Sequence, residues 1–574
     1  MTETTLQNLE PDEKRDAAIA NSADGRNGAG IPEPAASDGA DQEKQKVYLT
    51  GWRLHTLTAG LCLSLLLSTL ETTIVSTSLV SIVNALDGFS QSGWVVTAYF
   101  LTYTGFLVVY AKLSDIVGCK PLIMFAVAVF TVFSIACGLS SSMLLLIVFR
   151  AFQGVGASGI YSLVTVMTPL LVPPAKLATY IAVISSVFAM SSVLGPLLGG
   201  AITDHTTWKW VFFLNGPAGA VAIVLLAVSA PLSFPYRRRP GGFLDALVAE
   251  RAWRRVDVLG AVASLAASIL VVFALQQAGV AYPWRSAPVV ACFVLAGLLW
   301  AGFVAWERRL SLRVGGVCEP MFPWRLARNR FVVGLLLNAF LTGFPFMAAI
   351  INIPQRLQTV NGTTAIEAGL RMLPLLLCSP FSTALAGVAV SKLRLPPLYV
   401  LVVGGVLQMV GVGLFSSLDG YGPDIPPAQY GYQVVMGFGF GFNLSTILMM
   451  APMVVQLKDM AVVMGWLTQI RVLGGTIGLA VCSALLNNHI TSETSAFLSA
   501  DQTGALLQSF QNIHALAPDV QDRVRAVYAT GYSGQMRAML YFCAAALLSL
   551  ALLAERRPRR LQTADDGEFV PPEG

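Results

Sequence analysis

The sequence has 574 residues, of which 55% are hydrophobic and only 12% are charged, and its formal net charge is +5. Soluble domains carry roughly 25% charged residues, so this composition excludes an ordinary soluble protein and predicts a polytopic membrane protein. The eight cysteines are scattered singly, which favours neither a disulfide framework nor a zinc site.

The N-terminal segment, residues 1–50, is rich in Asp, Glu, Ala, Gly, Asn and Gln and has almost no large apolar side chains. Such a segment cannot bury enough surface to offset its chain entropy, so we predict a disordered tail. The first apolar run begins only near Leu57. We therefore expect no cleaved signal peptide, and the first span would act as the membrane-targeting signal.

Fourteen apolar runs follow, each close to the roughly 20 residues that one membrane crossing needs. Their approximate bounds are 57–83, 93–111, 122–139, 143–168, 177–203, 210–231, 256–278, 287–306, 331–353, 367–390, 397–416, 430–455, 461–486 and 537–554. The fifth run contains Gly195-Pro196, a break that a membrane bundle tolerates when neighbours satisfy the freed backbone groups. The sequence thus predicts an all-α polytopic membrane protein with 14 transmembrane helices.

Lysine and arginine collect in alternate loops, and such loops face the cytoplasm. If the N-terminus lies in the cytoplasm, every strongly basic loop and the basic C-terminal tail fall on the inner side. Both termini are therefore expected in the cytoplasm. Asn361, in the sequon Asn361-Gly362-Thr363, then lies in an outer loop as a glycosylation candidate.

Similar motifs recur at an offset of about 280 residues, as expected for transporters built from repeated halves. Val-Leu-Gly followed by another glycine occurs at Gly195 and Gly199 and again at Gly474 and Gly478. We predict a cytoplasmic tail (1–50), a six-helix bundle (51–235), two inserted helices with basic flanking loops (236–330), a second six-helix bundle with a long outer loop near 488–535 (331–556) and a cytoplasmic tail (557–574).

Span 1 contains a carboxylate, Glu71, within LLLSTLETTIVSTSLV. A rise of about 1.5 Å per residue places it roughly 21 Å from Leu57, beyond the middle of a hydrocarbon core of about 30 Å. Ser68 and Thr72 share its helix face, so this part of the span lines a cavity or packs within protein. Glu71 is a candidate proton carrier, and a structural ion pair with an arginine such as Arg150 is the alternative.

Two arginines also lie inside predicted spans, Arg150 about seven residues into span 4 and Arg471 about ten residues into span 13. A guanidinium at the centre of a membrane helix costs about 2.5–3.5 kcal/mol on insertion scales, so each needs a partner. For Arg471, contact with a substrate and structural pairing are both open. The sequence has no GxxxxGK[ST] phosphate loop, HExxH motif, His/Cys cluster or nucleophile elbow, so we expect no enzyme activity, cofactor, metal or nucleic-acid partner.

Five segments carry recognisable motifs: AKLSDIVGCKP (111–121), FRAFQGVGASG (149–159), SSVLGPLLGGAITD (191–204), WKWVFFLNGPAG (208–219) and AGLRMLP (368–374). Together they resemble signatures of the major facilitator superfamily. Within it the chain is similar to the fourteen-span drug:proton antiporters, and most to the fungal branch that exports toxins and secondary metabolites. The resemblance covers roughly residues 47–556 and implies two six-helix bundles plus two inserted helices.

The resemblance also implies roles for residues. Glu71 and Arg150 would couple transport to protons, and the span 2–3 segment would act as a cytoplasmic conformational gate through Asp115, Gly118 and Lys120. Departures from that signature, which remove two arginines, imply a weaker or rearranged gate. The span-5 segment matches a motif associated with antiporters, formed here by Gly195, Pro196, Gly199 and Gly200.

In this family a midplane cavity between the bundles opens alternately to each side. The candidate cavity residues are Ser68, Thr72, Asn338, Phe344, Phe438, Asn443 and Arg471. Aromatic and thioether side chains in the second half favour a hydrophobic small-molecule substrate.

We therefore expect a monomeric, proton-coupled efflux transporter in the plasma membrane, with the vacuolar membrane as the alternative location. The alternative functions are an importer of the same superfamily, for an iron chelate or a nutrient, and a non-transporting membrane sensor.

Overall fold

The computed structural model describes residues 51–86, 91–171, 174–229, 257–278, 282–313, 318, 320–418, 425–455, 459–508, 513 and 516–555. Within these ranges the chain forms helices and no strand. Both predicted cytoplasmic tails, the boundary near residue 235 and the basic loop that follows it lie outside the described residues. The domain boundaries stay predictions.

Fourteen long helices, labelled α1 to α14, occupy the positions of the fourteen predicted spans. They are α1 Trp52–Ala85, α2 Ser92–Val117, α3 Cys119–Gly138, α4 Met143–Leu171, α5 Pro174–His205, α6 Asn215–Ser229, α7 Val258–Gln277, α8 Ala287–Leu312, α9 Arg330–Thr359, α10 Leu373–Ser391, α11 Pro397–Phe415, α12 Ala428–Val454, α13 Met460–Thr494 and α14 Pro518–Ser549. Shorter helical segments are Lys209–Phe213, Trp324–Arg328, Ala365–Arg371, Ala500–Gln508 and the 3-10 turn Leu550–Leu553.

Thirteen helical segments are long and apolar enough to cross a membrane. They fall at thirteen of the fourteen predicted positions, and α5, a continuous helix of 32 residues through Pro196, fills the remaining one. The predicted all-α polytopic fold class is confirmed, and the arrangement agrees with the predicted count. Several helices extend beyond their apolar runs, most of all α14, which begins at Pro518 rather than near residue 537.

The helices pack as two similar groups of six. In the first group α1 contacts α5 and α6, and α4 contacts α2 and α3. In the second group α9 contacts α13 and α14, and α12 contacts α10 and α11 in the same pattern. The groups meet where α2 contacts α13, α5 contacts α10 and α1 contacts α9, while the inserted helix α7 lies against both α2 and α13.

Two buried carboxylates, Asp257 and Glu307, form hydrogen bonds at the ends of the inserted helices α7 and α8. Asp257 caps α7 by accepting a hydrogen bond from the Gly260 amide, 2.9 Å away, and it also accepts one from the Trp306 indole. Glu307 accepts hydrogen bonds from the backbone amides of Met321 and Phe322, each at 3.2 Å. Met321 and Phe322 are therefore held at a defined position before the second bundle begins.

Helix α5 approaches its neighbours so closely that two positions require glycine. A Cβ at Gly199 would lie 2.5 Å from the carbonyl oxygen of Ile74 and 2.5 Å from the hydroxyl oxygen of Thr77, both in α1. A Cβ at Gly200 would lie 2.5 Å from the Cα of Ile366, in the segment that precedes α10. The glycine face of α5 therefore packs against both bundles.

Replacing Gly199 with valine is expected to lower the free energy of unfolding by about 1–3 kcal/mol, because the added atoms meet a backbone carbonyl that cannot rotate away. Thermal unfolding of the detergent-purified protein measures the loss. Gly297→Val is the matched control, because a Cβ at Gly297 has no neighbour within 4 Å. An equal loss of stability in both variants would contradict the close-packing explanation.

Candidate functional site

Glu71 lies at the centre of a fully buried polar cluster in the first bundle. Its side chain is 0% exposed. One carboxylate oxygen, Oε1, accepts a hydrogen bond from Nη1 of Arg150 at 2.6 Å, and the other, Oε2, accepts one from Nδ2 of Asn215 at 2.8 Å. Helices α1, α4 and α6 therefore each contribute one side chain to this contact.

Arg150 has partners on several sides. Nη1 also donates to Oε1 of Gln153 at 2.9 Å, and Nε donates to the backbone carbonyl of Val95 at 3.0 Å. The guanidinium carbon lies 4.3 Å from the ring centroid of Tyr99 and 5.9 Å from that of Phe212. Delocalised charge, planar geometry and several donors suit an arginine to such a site better than a lysine.

A second layer of polar groups surrounds the pair. Nδ2 of Asn215 donates to the Ser134 hydroxyl at 2.8 Å, and that hydroxyl donates to the backbone carbonyl of Phe212 at 2.9 Å. Two buried amide atoms, Oδ1 of Asn215 and Nε2 of Gln153, have no hydrogen-bond partner in the described part of the chain. The cluster thus contains one acceptor, Oδ1 of Asn215, and one donor, Nε2 of Gln153, that are unpaired among the described residues, and both side chains contact the ion pair.

The ion pair between Glu71 and Arg150, which the sequence offered as the structural alternative to proton carriage, is present in the first bundle. Sequence reasoning missed Gln153, Asn215, Ser134 and Tyr99. Gln153 is one helical turn after Arg150, which is a usable signal, and Asn215 is an isolated amide in the apolar segment WKWVFFLNGPAG. Which faces of α3 and α6 point at Glu71 depends on helix rotation in the packed bundle.

Four of the candidate cavity residues bond within their own bundle. The Ser68 hydroxyl faces the carbonyl of Ala157 at 3.5 Å, and that of Thr72 donates to the carbonyl of its helix neighbour Thr69 at 2.7 Å. Asn338 donates to the carbonyl of Ala546 at 2.9 Å, and Asn443 donates to the side chain of Gln408. Their roles in substrate binding stay predictions.

The two candidate cavity phenylalanines contact other rings. Phe344 stacks on Phe542 of α14 with ring centroids 4.0 Å apart, and Phe438 packs edge-on against Phe381 at 6.0 Å. Phe381 is 62% exposed on the outside of the bundle. The structure therefore brings neither ring to the Glu71 cluster.

Arg471 differs from these residues because it faces the region between the bundles. Its guanidinium carbon lies 5.7 Å from the ring centroid of Phe346, and Tyr103 and Tyr161 of the first bundle lie within electrostatic range of it. It is the candidate cavity residue with partners from both bundles.

The predicted gate segment forms the turn between α2 and α3. Gly118 has φ 103°, a conformation that favours glycine, and Nζ of Lys120 donates to the carbonyl of Ala227 near the end of α6 at 2.7 Å. The side chain of Asp115 lies outside the described residues. Asn361 follows α9 and is 8% exposed. The gate and the glycosylation site stay predictions.

Comparison with known proteins shows which protein family the sequence matches. The sequence profile of the Major Facilitator Superfamily matches residues 61–317. The chain is 65% identical to the MFS-type transporter FPY5 of Fusarium mangiferae over 525 residues, which cover 92% of this chain and 87% of that protein. It is 30% identical to the efflux pump aunC of Aspergillus niger over 462 residues, covering 80% of this chain and 78% of that one.

Solved structures show the same architecture. The crystal structure of a bacterial homolog of the human lysosomal transporter Spinster, in an inward-facing and unoccupied conformation, aligns with a TM-score of 0.63 and 16% identity. The alignment covers 88% of this chain and 98% of that chain. At this identity the likeness concerns the fold alone.

Proposed function

Because the chain belongs to the major facilitator superfamily and is therefore a membrane transporter, we propose that it exports a hydrophobic small organic molecule in exchange for protons. The bilayer, the exported molecule and protons would be its partners. The two bundles would rock around a central region and expose it alternately to each side of the membrane.

The buried carboxylate of Glu71 carries this proposal. Intramembrane ionisable residues are rare and mark ion or proton pathways, and antiport requires a group that binds and releases a proton. Glu71 is held by Arg150 and Asn215 in the first bundle, where the two side chains stabilise its ionised form. Both members of the Glu71–Arg150 pair are buried, whereas Arg325 in the pair with Asp459 and Asp522 in the pair with Arg525 are exposed.

The second layer of the cluster supports a reversible protonation. When Glu71 takes up a proton, its Oε2 becomes a donor and no longer suits the amide nitrogen of Asn215. A rotation of the Asn215 amide by half a turn would place Oδ1, which has no partner in the described structure, against the new hydroxyl. Arg150 would keep its bonds to Gln153 and to the Val95 carbonyl in that state.

Export rather than uptake is supported by the names of the relatives, several of which are called efflux pumps, and by the glycine-proline segment of α5. In the proposed cycle protons and substrate each favour a different facing state of the transporter, so that a proton gradient drives substrate movement. Asp115, Gly118 and Lys120 would contribute to the cytoplasmic gate in this cycle.

Purified protein in proteoliposomes tests the proposal directly. Vesicles with an acidic lumen and a neutral exterior are expected to accumulate a hydrophobic metabolite from a panel, and a protonophore should abolish this accumulation. A proton symporter would instead accumulate its substrate when the exterior is acidic, which identifies the importer alternative.

Vesicles without protein control for passive trapping of weak acids and bases. If an acidic lumen drives no protein-dependent accumulation of any panel member, proton antiport is wrong for this chain. Equal transport with and without a pH gradient would leave a transporter of this superfamily but remove proton coupling.

A further inference from the structure

The guanidinium of Arg471 lies inside the membrane without an anionic partner. Arg471 is nine residues from the start of the candidate span Val462–Thr494, roughly 14 Å into a hydrocarbon core of about 30 Å. Within the part of the chain that the structure describes, it forms no hydrogen bond or ion pair, and its contacts are aromatic. Arg150, the other arginine at comparable depth, is instead bonded to a carboxylate, an amide and a carbonyl.

The backbone around Arg471 is fixed by tight helix packing. A Cβ at Gly343 of α9 would lie 2.0 Å from the carbonyl oxygen of Arg471, so α9 and α13 are in direct backbone contact there. Tyr103 of α2 and Tyr161 of α4, in the other bundle, lie within electrostatic range of the Arg471 guanidinium, and Arg471 is half-buried. A cation held in this way can receive a ligand between the two bundles.

The walls around Arg471 are aromatic. Phe346 lies under the guanidinium at 5.7 Å, and Tyr103 and Tyr161, whose rings are 6.1 Å apart, face it from the first bundle. The phenol hydroxyls can donate hydrogen bonds, and the rings offer apolar surface. Cation, phenols and rings together match the chemistry of an aromatic or largely apolar molecule that carries one acidic group.

We propose that Arg471 binds an acidic group of the transported molecule, so that the substrate is a hydrophobic organic acid. This inference rests on the proposed function and narrows its substrate class. A carboxylate or another delocalised oxyanion fits the planar donor fork of an arginine, and Tyr103 and Tyr161, within electrostatic range of Arg471, supply phenol donors nearby.

A column of aromatic rings connects this position to the proton site. Tyr103 stacks on Tyr99 with ring centroids 6.0 Å apart, and Tyr99 lies over the Arg150 guanidinium at 4.3 Å. The Tyr99 hydroxyl donates to the carbonyl of Ser68 in α1, one turn from Glu71. An acid at Arg471 would therefore be separated from the Glu71–Arg150 pair by two stacked tyrosines, which places both charges in one pathway across the bundles.

Binding of matched acid and neutral probes tests the assignment without a pH gradient. The probes are 1-anilinonaphthalene-8-sulfonate against N-phenyl-1-naphthylamine, and a series of aromatic carboxylic acids against their methyl esters. Full-length protein in nanodiscs is titrated with each, and affinity is taken from thermal stabilisation. We expect the wild type to bind the acids about tenfold or more tightly than their neutral partners.

Arg471→Gln is expected to lose this acid preference, about tenfold in acid affinity, and to bind the neutral partners within about twofold of the wild type. Arg471→Lys should retain part of the preference because it keeps the charge. Arg309→Gln, which removes an exposed cation at the inner end of α8, controls for net charge. An unchanged neutral affinity in Arg471→Gln separates a binding role from a purely structural one.

Three results would overturn the assignment. The wild type could show no preference for the acids, the preference could survive in Arg471→Gln, or Arg471→Gln could lose the same affinity for the acid and the neutral member of each pair. Its failure is distinguishable from failure of the proposed function, because proton-driven accumulation in proteoliposomes is measured separately. Antiport of neutral molecules would refute the acid site alone, and acid binding without antiport would refute proton coupling alone.

Discussion

Glu71→Gln is expected to abolish proton-driven accumulation in proteoliposomes while substrate exchange between the two sides continues. The glutamine has the size of a protonated glutamate but cannot release a proton, so the transporter can still change its facing state without using the gradient. Accumulation should fall to the level of vesicles without a pH gradient. The variant should remain folded, because Arg150 keeps its bonds to Gln153 and the Val95 carbonyl.

Glu307→Gln is the matched control, since Glu307 is also buried but lies near the C-terminal end of the inserted helix α8, where it accepts backbone hydrogen bonds and neighbours the Asp257 side chain. The glutamine keeps an acceptor oxygen for one of the two amides, and Glu307 has no part in the Glu71 cluster, so proton-driven accumulation should stay close to that of the wild type. Normal pH-driven transport by Glu71→Gln would remove Glu71 from the mechanism. Loss of exchange as well as accumulation would assign it to the conformational change instead.

The fold was largely predictable because a membrane helix is specified by a long apolar run, and each of the fourteen runs coincides with a helix. Helix ends were less predictable wherever a helix continues into the aqueous phase. Helix α14 starts at Pro518 because Val524, Tyr528 and Tyr532 pack into an apolar cluster with the C-terminal ends of α9 and α13. Hydropathy alone cannot detect this extension, since its other face is polar.

The candidate site was only partly predictable, for a physical reason. Glu71 and Arg150 could be identified because a charge within an apolar run is costly and needs a partner. Asn215 and Ser134 are uncharged, and their contribution depends on which helix faces turn inward. Helix rotation also decides the surroundings of the candidate cavity residues. Arg471 has neighbours from both bundles, whereas Asn338 and Asn443 form hydrogen bonds within one bundle.

Arg150→Gln is expected to be the most destabilising change in the cluster, by about 3–5 kcal/mol, because it leaves the buried carboxylate of Glu71 without its cation. It also removes the donors that now satisfy Gln153 and the Val95 carbonyl. Adding Glu71→Gln removes the uncompensated charge. The double variant should therefore be more stable than the sum of the two single losses predicts, with a coupling of about 0.5–3 kcal/mol. Unfolding of the four proteins in nanodiscs measures the cycle.

The pair Arg525–Asp522, with 3.7 Å between the charged atoms, is 28% and 67% exposed and provides the matched cycle at the protein surface. Solvent screens that pair, so Arg525→Gln should change stability by less than about 1 kcal/mol and show almost no coupling to Asp522→Asn. Additive losses at Glu71 and Arg150, as at the surface pair, would mean that the buried contact contributes little beyond packing. Protonation of Glu71 would then not change the free-energy difference between the facing states of the transporter. Only a pair with a measurable coupling energy can transmit that protonation to the helices that hold Arg150 and Asn215.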